Sequence, residues 1–377
     1  RQPLTVEAFM ELALYDPECG YYTRADQRSG RAGDFFTSVD VGPVFGDLLE
    51  VQIAEMFDLL SATSAEASRP GGAAAPPSLV EAGAGNGRLS ADILRAARRR
   101  DPGLFARLRL HLVDASPEAR AAQESMLGDV ADHLASSGTR LPDAFEGVLL
   151  ANELLDALPV HQVVMTRQGL REVYVSAGRG AGSSHPSGPL HLVEGPLSTP
   201  ALAGYFDALG ITLKPGWRAE VNLRALDWIR GAARRLVRGF MILIDYGHEA
   251  RQLFGASHAS GTLTTFSRHR SGEAASWLDR PGEQDMTAHV DFTSVRAAAA
   301  AAGLEELGFL DQTYFLLGLG AEEMARADES LDTLRTRLAL KTLLMPGGLG
   351  STHKVLLLGK GVGRPPLRGC SFRVRVT

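Results

Sequence analysis

Hydrophobic positions near the start of the chain fall at helical spacing. Val6, Phe9, Met10, Ala13 and Leu14 share one face behind Thr5, a capping residue type, and Pro17 and Gly20 close the segment, which predicts a helix over residues 5–15. A second amphipathic pattern runs from Val44 to Leu60. Ser61 to Ser78 then turns to Ala, Ser, Gly and Pro, the composition of a surface linker. From Leu79 the pattern changes to short apolar runs alternating with helical stretches. The run Leu79-Val80-Glu81-Ala82, a glycine turn, a helix from Leu89 to about Arg100 and a strand from Leu108 to Asp114 open a βαβ unit. Gly147 to Ala151 and Phe240 to Asp245 are continuous apolar runs, as expected of parallel strands buried on both faces. A third strand is weakly marked, its best candidate lying near Thr139 to Leu141.

These elements predict an α/β fold: a doubly wound, Rossmann-like sheet with an N-terminal helical lead-in and an inserted substrate region. The expected segments are a cap and linker over 1–77, the first part of the core over 78–160 and an insertion over 161–235. The fifth strand and its turn follow over 236–250, a second insertion over 251–303 and closing strands over 304–377. The first insertion follows from length, since about 90 residues separate the fourth and fifth strands, far more than a crossover needs. His161 to Thr166 and Arg171 to Ser176 read as a β-hairpin, and Gly178 to Gly188 as a Ser/Gly-rich stretch. Glu305 to Leu317 and His353 to Gly359 are candidates for a closing antiparallel pair.

The chemistry gathers where these strands end. Gly83, Gly85 and Gly87 follow a buried strand, and glycines there let the backbone approach a bound nucleotide. The dinucleotide fingerprint asks for a glycine where this chain has Arg88, expected to be bulky at a close helix–strand contact, so NAD is disfavoured. S-adenosylmethionine (SAM) has no pyrophosphate and does not need that fingerprint. Glu81 and Asp114 are then acceptors for its amino and ribose groups. Taken singly, a GxGxG turn is often only a turn; its sequel of helix, strand and terminal acid makes the case.

The fourth strand delivers Asn152, Glu153 and Asp156 to the edge where open α/β sheets bind ligands. On a helical turn, Glu153 and Asp156 face the same way, and two carboxylates grip a guanidinium or ammonium. The plainer reading is a helix N-terminus with Asn152 as its cap. Asp245-Tyr246-Gly247 should border the same cleft. His289 and Asp291 fall on one side of an extended segment, suited to a base or half a metal site, but no second ligand cluster accompanies them in sequence, so no metal is expected. His269, between Arg268 and Arg270, reads as a solvated basic turn.

Bulk properties narrow the classes further. With 45% hydrophobic and 22% charged residues the chain is an ordinary globular protein, and a net charge of −5 argues against a nucleic-acid partner. Cys19 and Cys370 suggest neither a disulfide framework nor a zinc site, which points to a reducing compartment. No apolar run approaches the roughly 20 residues that span a bilayer, so no membrane partner is expected.

Several segments together resemble the MidA-like methyltransferases, whose mitochondrial members assist assembly of respiratory complex I. The matching pieces are Leu14 to Pro17 with Gly20-Tyr21-Tyr22, Gly33 to Ser38, Val80 to Gly87, Val113 to Gln123, Asn152 to Gln162, Asp245 to Gly247, Gly261-Thr262-Leu263 and Pro281 to Phe292. The resemblance implies SAM as cofactor and a protein arginine as acceptor. It implies a donor turn of Gly83, Gly85 and Gly87, a ribose acid at Asp114, a lid including Gly33, Asp34, Thr37 and Ser38, and a transfer site lined by Asn152, Glu153 and Asp156. Departures are Ala84 where the family often has Pro, Asp114 where it has Glu, and Glu220-Val221-Asn222-Leu223 in place of Glu-Val-Ser-Pro. The compartment expected is cytoplasmic, or the mitochondrial matrix if a targeting segment has been removed. A small-molecule N- or O-methyltransferase and a SAM-binding assembly factor without turnover are the alternatives; the oligomeric state is not assigned.

Overall fold

The computed structural model of the chain describes residues 2–23, 37–66, 77–178, 189–267, 270–271, 276–326, 330–345, 349–350 and 352–372. They divide into two compact units. One comprises 37–154, 229–246 and 298–377; the other comprises 1–36, 155–228 and 247–297.

The first unit is built on seven strands: β1 (Ser78–Ala82), β2 (Arg109–Val113), β3 (Leu134–Gly138), β4 (Phe145–Asn152), β5 (Leu236–His248, within this unit to Tyr246), β6 (Glu305–Asp311) and β7 (His353–Lys360). Their order is β6-β7-β5-β4-β1-β2-β3. β3, β2, β1, β4 and β5 are mutually parallel, and β7 runs antiparallel between β5 and β6. The chain leaves β1 toward β2 and returns on its other side at β4, so the topological switch point, where open α/β sheets bind ligands, lies at the carboxyl ends of β1 and β4. Continuous apolar runs explain the central strands. Leu79, Val148, Leu150, Phe240, Ile242, Val355 and Leu357 are fully buried in one core, each worth about 1.5–3 kcal/mol on burial.

The long helix Val44–Glu66 and the helix Arg88–Arg100 cover this sheet, the latter burying Leu89, Ile93, Leu94 and Ala97. The third strand is not where the sequence placed it. β3 occupies Leu134–Gly138, ahead of Thr139 to Leu141, and is a largely solvent-facing edge whose Ser136 and Ser137 break any apolar run. β6 and β7 form the expected antiparallel pair, but Gln312–Gly318 turns helical after Asp311, so β6 is shorter than anticipated.

In the second unit Thr5 caps the helix Val6–Tyr15, its Oγ1 accepting from the Ala8 N–H at 3.0 Å. The hairpin His161–Thr166 and Gly169–Ala177 turns on Arg167 and Gln168, with Thr166 paired to Gly169. Arg218–Val221 adds to one side, and Leu4–Thr5 and Leu190–Gly195 pair with the second hairpin strand. Val6, Phe9, Met10 and Leu14 pack with Val160, Val173 and Trp277; a neighbouring cluster gathers Val163, Leu202, Tyr205, Phe206 and Phe254. Both expected insertions contribute to this unit together with the N-terminal helix. Among the described residues no helix is long and apolar enough to cross a membrane.

Candidate functional site

The glycine turn sits at the switch point of the sheet unit. The N–H groups of Gly83 and Ala84 donate to Val113 O at 2.9 and 3.1 Å, which ties the turn to β2. All three glycines are left-handed, with φ of 72° at Gly83, 51° at Gly85 and 84° at Gly87. Their surroundings differ. A Cβ at Gly87 would lie 2.9 Å from Leu112 Cδ1 and one at Gly83 would lie 3.1 Å from Leu154 Cδ1, whereas one at Gly85 meets nothing within 4 Å. Gly83 and Gly87 therefore serve packing, and Gly85 keeps backbone exposed to open space, as close approach of a ligand requires.

Asp114 is oriented by the backbone. Its Oδ2 accepts from the Gly85 N–H at 2.7 Å and its Oδ1 from the Ser116 N–H at 2.8 Å. Gln123 Nε2 donates to Gly85 O at 2.8 Å and is itself fixed by Ser137 Oγ on Gln123 Oε1 at 2.6 Å. Turn and acid are one hydrogen-bonded piece. Glu81, 3% exposed, accepts from Ser90 Oγ; burial foremost, with a contribution from the Asp114 charge, pushes its carboxyl up to about 7.

Arg88 does not crowd a helix–strand contact. Its side chain is 39% exposed and reaches Asp40 at 3.4 Å. Asp40 Oδ2 in turn accepts from the N–H and Oγ1 of Thr37 at 3.0 and 3.1 Å, so the turn at 37–41 is coupled to the donor helix. Gly33 and Asp34, expected in a lid, lie outside the described residues.

At the end of β4 the expected helical turn is absent, and with it the alignment of Glu153 with Asp156. Asn152 closes the strand and Glu153 takes a left-handed conformation, φ 51°, its N–H donating to Ile244 O at 2.8 Å. No helix follows, so the capping reading of Asn152 falls as well. Glu153 Oε1 lies 3.5 Å from the Ser38 N–H, 3.2 Å from Asn152 Nδ2 and 3.7 Å from His353 Nε2. The Nδ1 of His353 donates to Leu349 O at 2.9 Å, and Ser38 Oγ lies 3.3 Å from Gln312 Oε1. Asn152 Oδ1 is buried without a hydrogen-bond partner among the described residues. Sequence reasoning missed His353 and Gln312, which reach this place only through long-range pairing.

Asp156 belongs to the second unit, 3% exposed, and its carbonyl accepts from Ala288 N at 3.1 Å. Nearby, Tyr22 donates to Asp285 Oδ1 at 2.9 Å. Burial, then the Asp285 charge, with smaller effects from Tyr15 and Asp156, holds the Tyr22 hydroxyl well above its ordinary value, so it stays protonated. Asp291 is a structural acid: it accepts from Tyr205 Oη at 2.7 Å and from Ser294 Oγ at 2.6 Å at the start of Phe292–Ala301. The His289 ring lies beside those of His248 and His258, with centroids 5.3 and 5.7 Å away.

A doubly wound sheet, a glycine turn at its switch point and an acid held at the next strand end define an α/β protein that binds a nucleoside-type cofactor. The family model of S-adenosyl-L-methionine-dependent methyltransferases matches residues 49–310. The chain belongs to this family, the MidA-like enzymes, and is a SAM-dependent methyltransferase. It is 30% identical over 381 residues to the mouse protein arginine methyltransferase NDUFAF7, mitochondrial, covering 95% of this chain and 76% of that protein. To the Drosophila melanogaster homolog of that protein it is 28% identical over 390 residues, 96% and 82% of the two chains. The crystal structure of a methyl transferase candidate from Burkholderia thailandensis bound to S-adenosyl-homocysteine superposes with a TM-score of 0.85 at 30% identity, covering 99% of this chain and 92% of that one.

Proposed function

We propose that the enzyme methylates an arginine side chain of a protein substrate, with Gly85, Glu81 and Asp114 contacting SAM over a turn whose tight packing Gly83 and Gly87 allow, and Glu153, positioned by Asn152, acting at the acceptor. The observation that carries the acceptor half is Glu153 itself, a carboxylate in a strained backbone conformation at the ligand-binding end of β4. When bound, SAM supplies an electrophilic methyl group on a sulfonium. The residues present suit it: open space over Gly85 for backbone approach, and a backbone-oriented Asp114 for hydroxyl groups. A guanidinium is protonated in water, so its nitrogen becomes nucleophilic as a proton leaves it, and the Glu153 carboxylate is the group that takes that proton. Thr37 and Ser38 close on this region through Asp40 and Glu153. The paired clamp of Glu153 with Asp156 is not carried forward; Asp156 adds charge to the acid group around Tyr22 and Asp285.

The arginine acceptor is supported by the NDUFAF7 relatives' names; a role in complex I assembly rests on the resemblance of the sequence to the mitochondrial branch. Their mitochondrial names favour the matrix over the cytosol as compartment. Incubation of the purified enzyme with SAM and arginine-containing peptides, read by tandem mass spectrometry, tests the reading. Methyl groups on arginine nitrogen support it. Transfer only to small amines or hydroxyls, or SAM binding without any turnover, would replace it with one of the two alternatives.

A further inference from the structure

Three histidines that methyl transfer leaves unused meet in the second unit. His248 ends β5, His258 ends the single 3-10 turn Ala256–His258, and His289 lies between the short strands Asp285–Thr287 and Val290–Asp291. Their ring centroids are 5.0 Å apart for His248 and His258, 5.3 Å for His248 and His289 and 5.7 Å for His258 and His289. One ring nitrogen from each lies within 4.8 Å of the others.

We propose that His248, His258 and His289 form a binding site for a divalent first-row cation, Zn²⁺ being the ion their donors suit best. Imidazole nitrogens are borderline ligands, and a three-nitrogen set without carboxylate or thiolate favours zinc over magnesium or calcium, leaving a fourth position for water or another ligand. With Zn–N bonds of about 2.0–2.1 Å, tetrahedral geometry places ligand nitrogens about 3.3 Å apart, so each ring need move inward by roughly 1 Å or less.

The backbone fixes all three positions. Gly247 pairs with Val290 and His248 with Asp291 in a parallel bridge, which sets the first and third histidines side by side. The loop carrying His258 is fastened by Arg218 N on Ala259 O at 2.9 Å and by Gly261 N on His258 O at 2.9 Å. Glu220 Oε2 then takes the N–H and Oγ1 of Thr262 at 2.7 and 3.0 Å, and Thr262 Oγ1 accepts from the N–H of His289 at 3.1 Å. His258 Nδ1 lies 3.2 Å from both Gln252 O and Ser257 Oγ; in the tautomer whose Nδ1–H donates to the carbonyl, the Nε2 lone pair is left for a metal. Carbonyl-oriented histidines of this kind are the usual outer support of metal sites. The arrangement also gives a task to Gly261-Thr262-Leu263 and to the histidine of Thr287 to Phe292, segments that donor binding does not use.

Calorimetric titration of the chelator-treated, tag-free chain with ZnCl₂ tests this, with Co²⁺ absorption as a second readout and His258→Ala, His289→Ala and the exposed-site control His191→Ala compared. The parent and His191→Ala should each bind one Zn²⁺ and give the intense visible bands of four-coordinate Co²⁺. His258→Ala and His289→Ala should lose affinity by more than the roughly 10–100-fold that removing an outer-shell partner costs, and lose the bands. Thermal melts report folding, and His258→Ala, on a half-exposed turn, decides if His289→Ala does not fold. No saturable Zn²⁺ binding by the parent, or parent affinity in His258→Ala, would overturn the site.

Discussion

Adding one methyl group at Gly85 and, separately, at Gly87 distinguishes a glycine that faces a ligand from one that packs the fold. Both positions are left-handed, so either alanine carries about 1–2 kcal/mol of backbone strain. At Gly87 the new Cβ also meets Leu112 Cδ1 at 2.9 Å, an overpacking of about 1–3 kcal/mol, for a total of about 2–5 kcal/mol. At Gly85 nothing lies within 4 Å, and strain is the whole stability cost. Differential scanning calorimetry should therefore rank Gly87→Ala well below Gly85→Ala in melting temperature. Calorimetric titration with S-adenosylhomocysteine should set Gly85→Ala apart in the other direction: although folded, it binds at least tenfold more weakly, a difference of about 1.4 kcal/mol or more. If Gly85→Ala binds with parent affinity, the open space above this turn is not the donor site and the assignment of Gly85 fails.

Glu81→Gln should flatten the pH dependence of stability. The folded carboxyl at about 7 lies above its unfolded value of 4.5, so its contribution is fully present below pH 4.5 and is lost as pH rises through 7. Denaturant titrations at pH 5 and pH 8 should show a fall in the parent that exceeds the variant's by about 2–3 kcal/mol; equal falls would mean that Glu81 ionises freely. Glu153→Gln should leave S-adenosylhomocysteine affinity within about twofold while cutting transfer by ~10²–10⁴, measured by product formation at saturating SAM, and parent turnover would remove the carboxylate from the mechanism. Thr5→Ala, which takes away the bond to Ala8 N, should cost about 1 kcal/mol in urea denaturation without altering donor affinity.

The elements legible in the sequence are those whose physics is local. β1, β4 and β5 are read from continuous apolar runs because both of their faces are covered, and the glycine turn from residue type alone. Edge strand β3 escapes because Leu134–Gly138 is largely solvent-facing and Ser136 and Ser137 break the apolar run. The bend at Glu153 escapes for another reason. Asn152-Glu153-Leu154-Leu155 has the composition of a helix start, and a left-handed glutamate is imposed by its surroundings, not by its type. His353, Gln312 and the partners of His289 are invisible in one dimension because strand pairing brings them together, as Gly247 on Val290 does. A lone His-x-Asp carries no metal expectation in one dimension, and the fold brings His248 and His258 beside His289.

Glu153 is where the fold and the proposed chemistry pull apart. A left-handed conformation costs a side-chain-bearing residue about 1–2 kcal/mol that glycine would not incur. The strand end tolerates it because the Glu153 N–H is held by Ile244 O across the β4–β5 pairing, so the backbone is fixed whatever the side chain. Glycine at this position would keep that bond and relieve the strain. What it would lose is the carboxylate whose Oε1 lies 3.5 Å from Ser38 N, 3.2 Å from Asn152 Nδ2 and 3.7 Å from His353 Nε2. A position optimised for the fold would carry glycine; the proposed role accounts for the glutamate by the proton it takes from the acceptor.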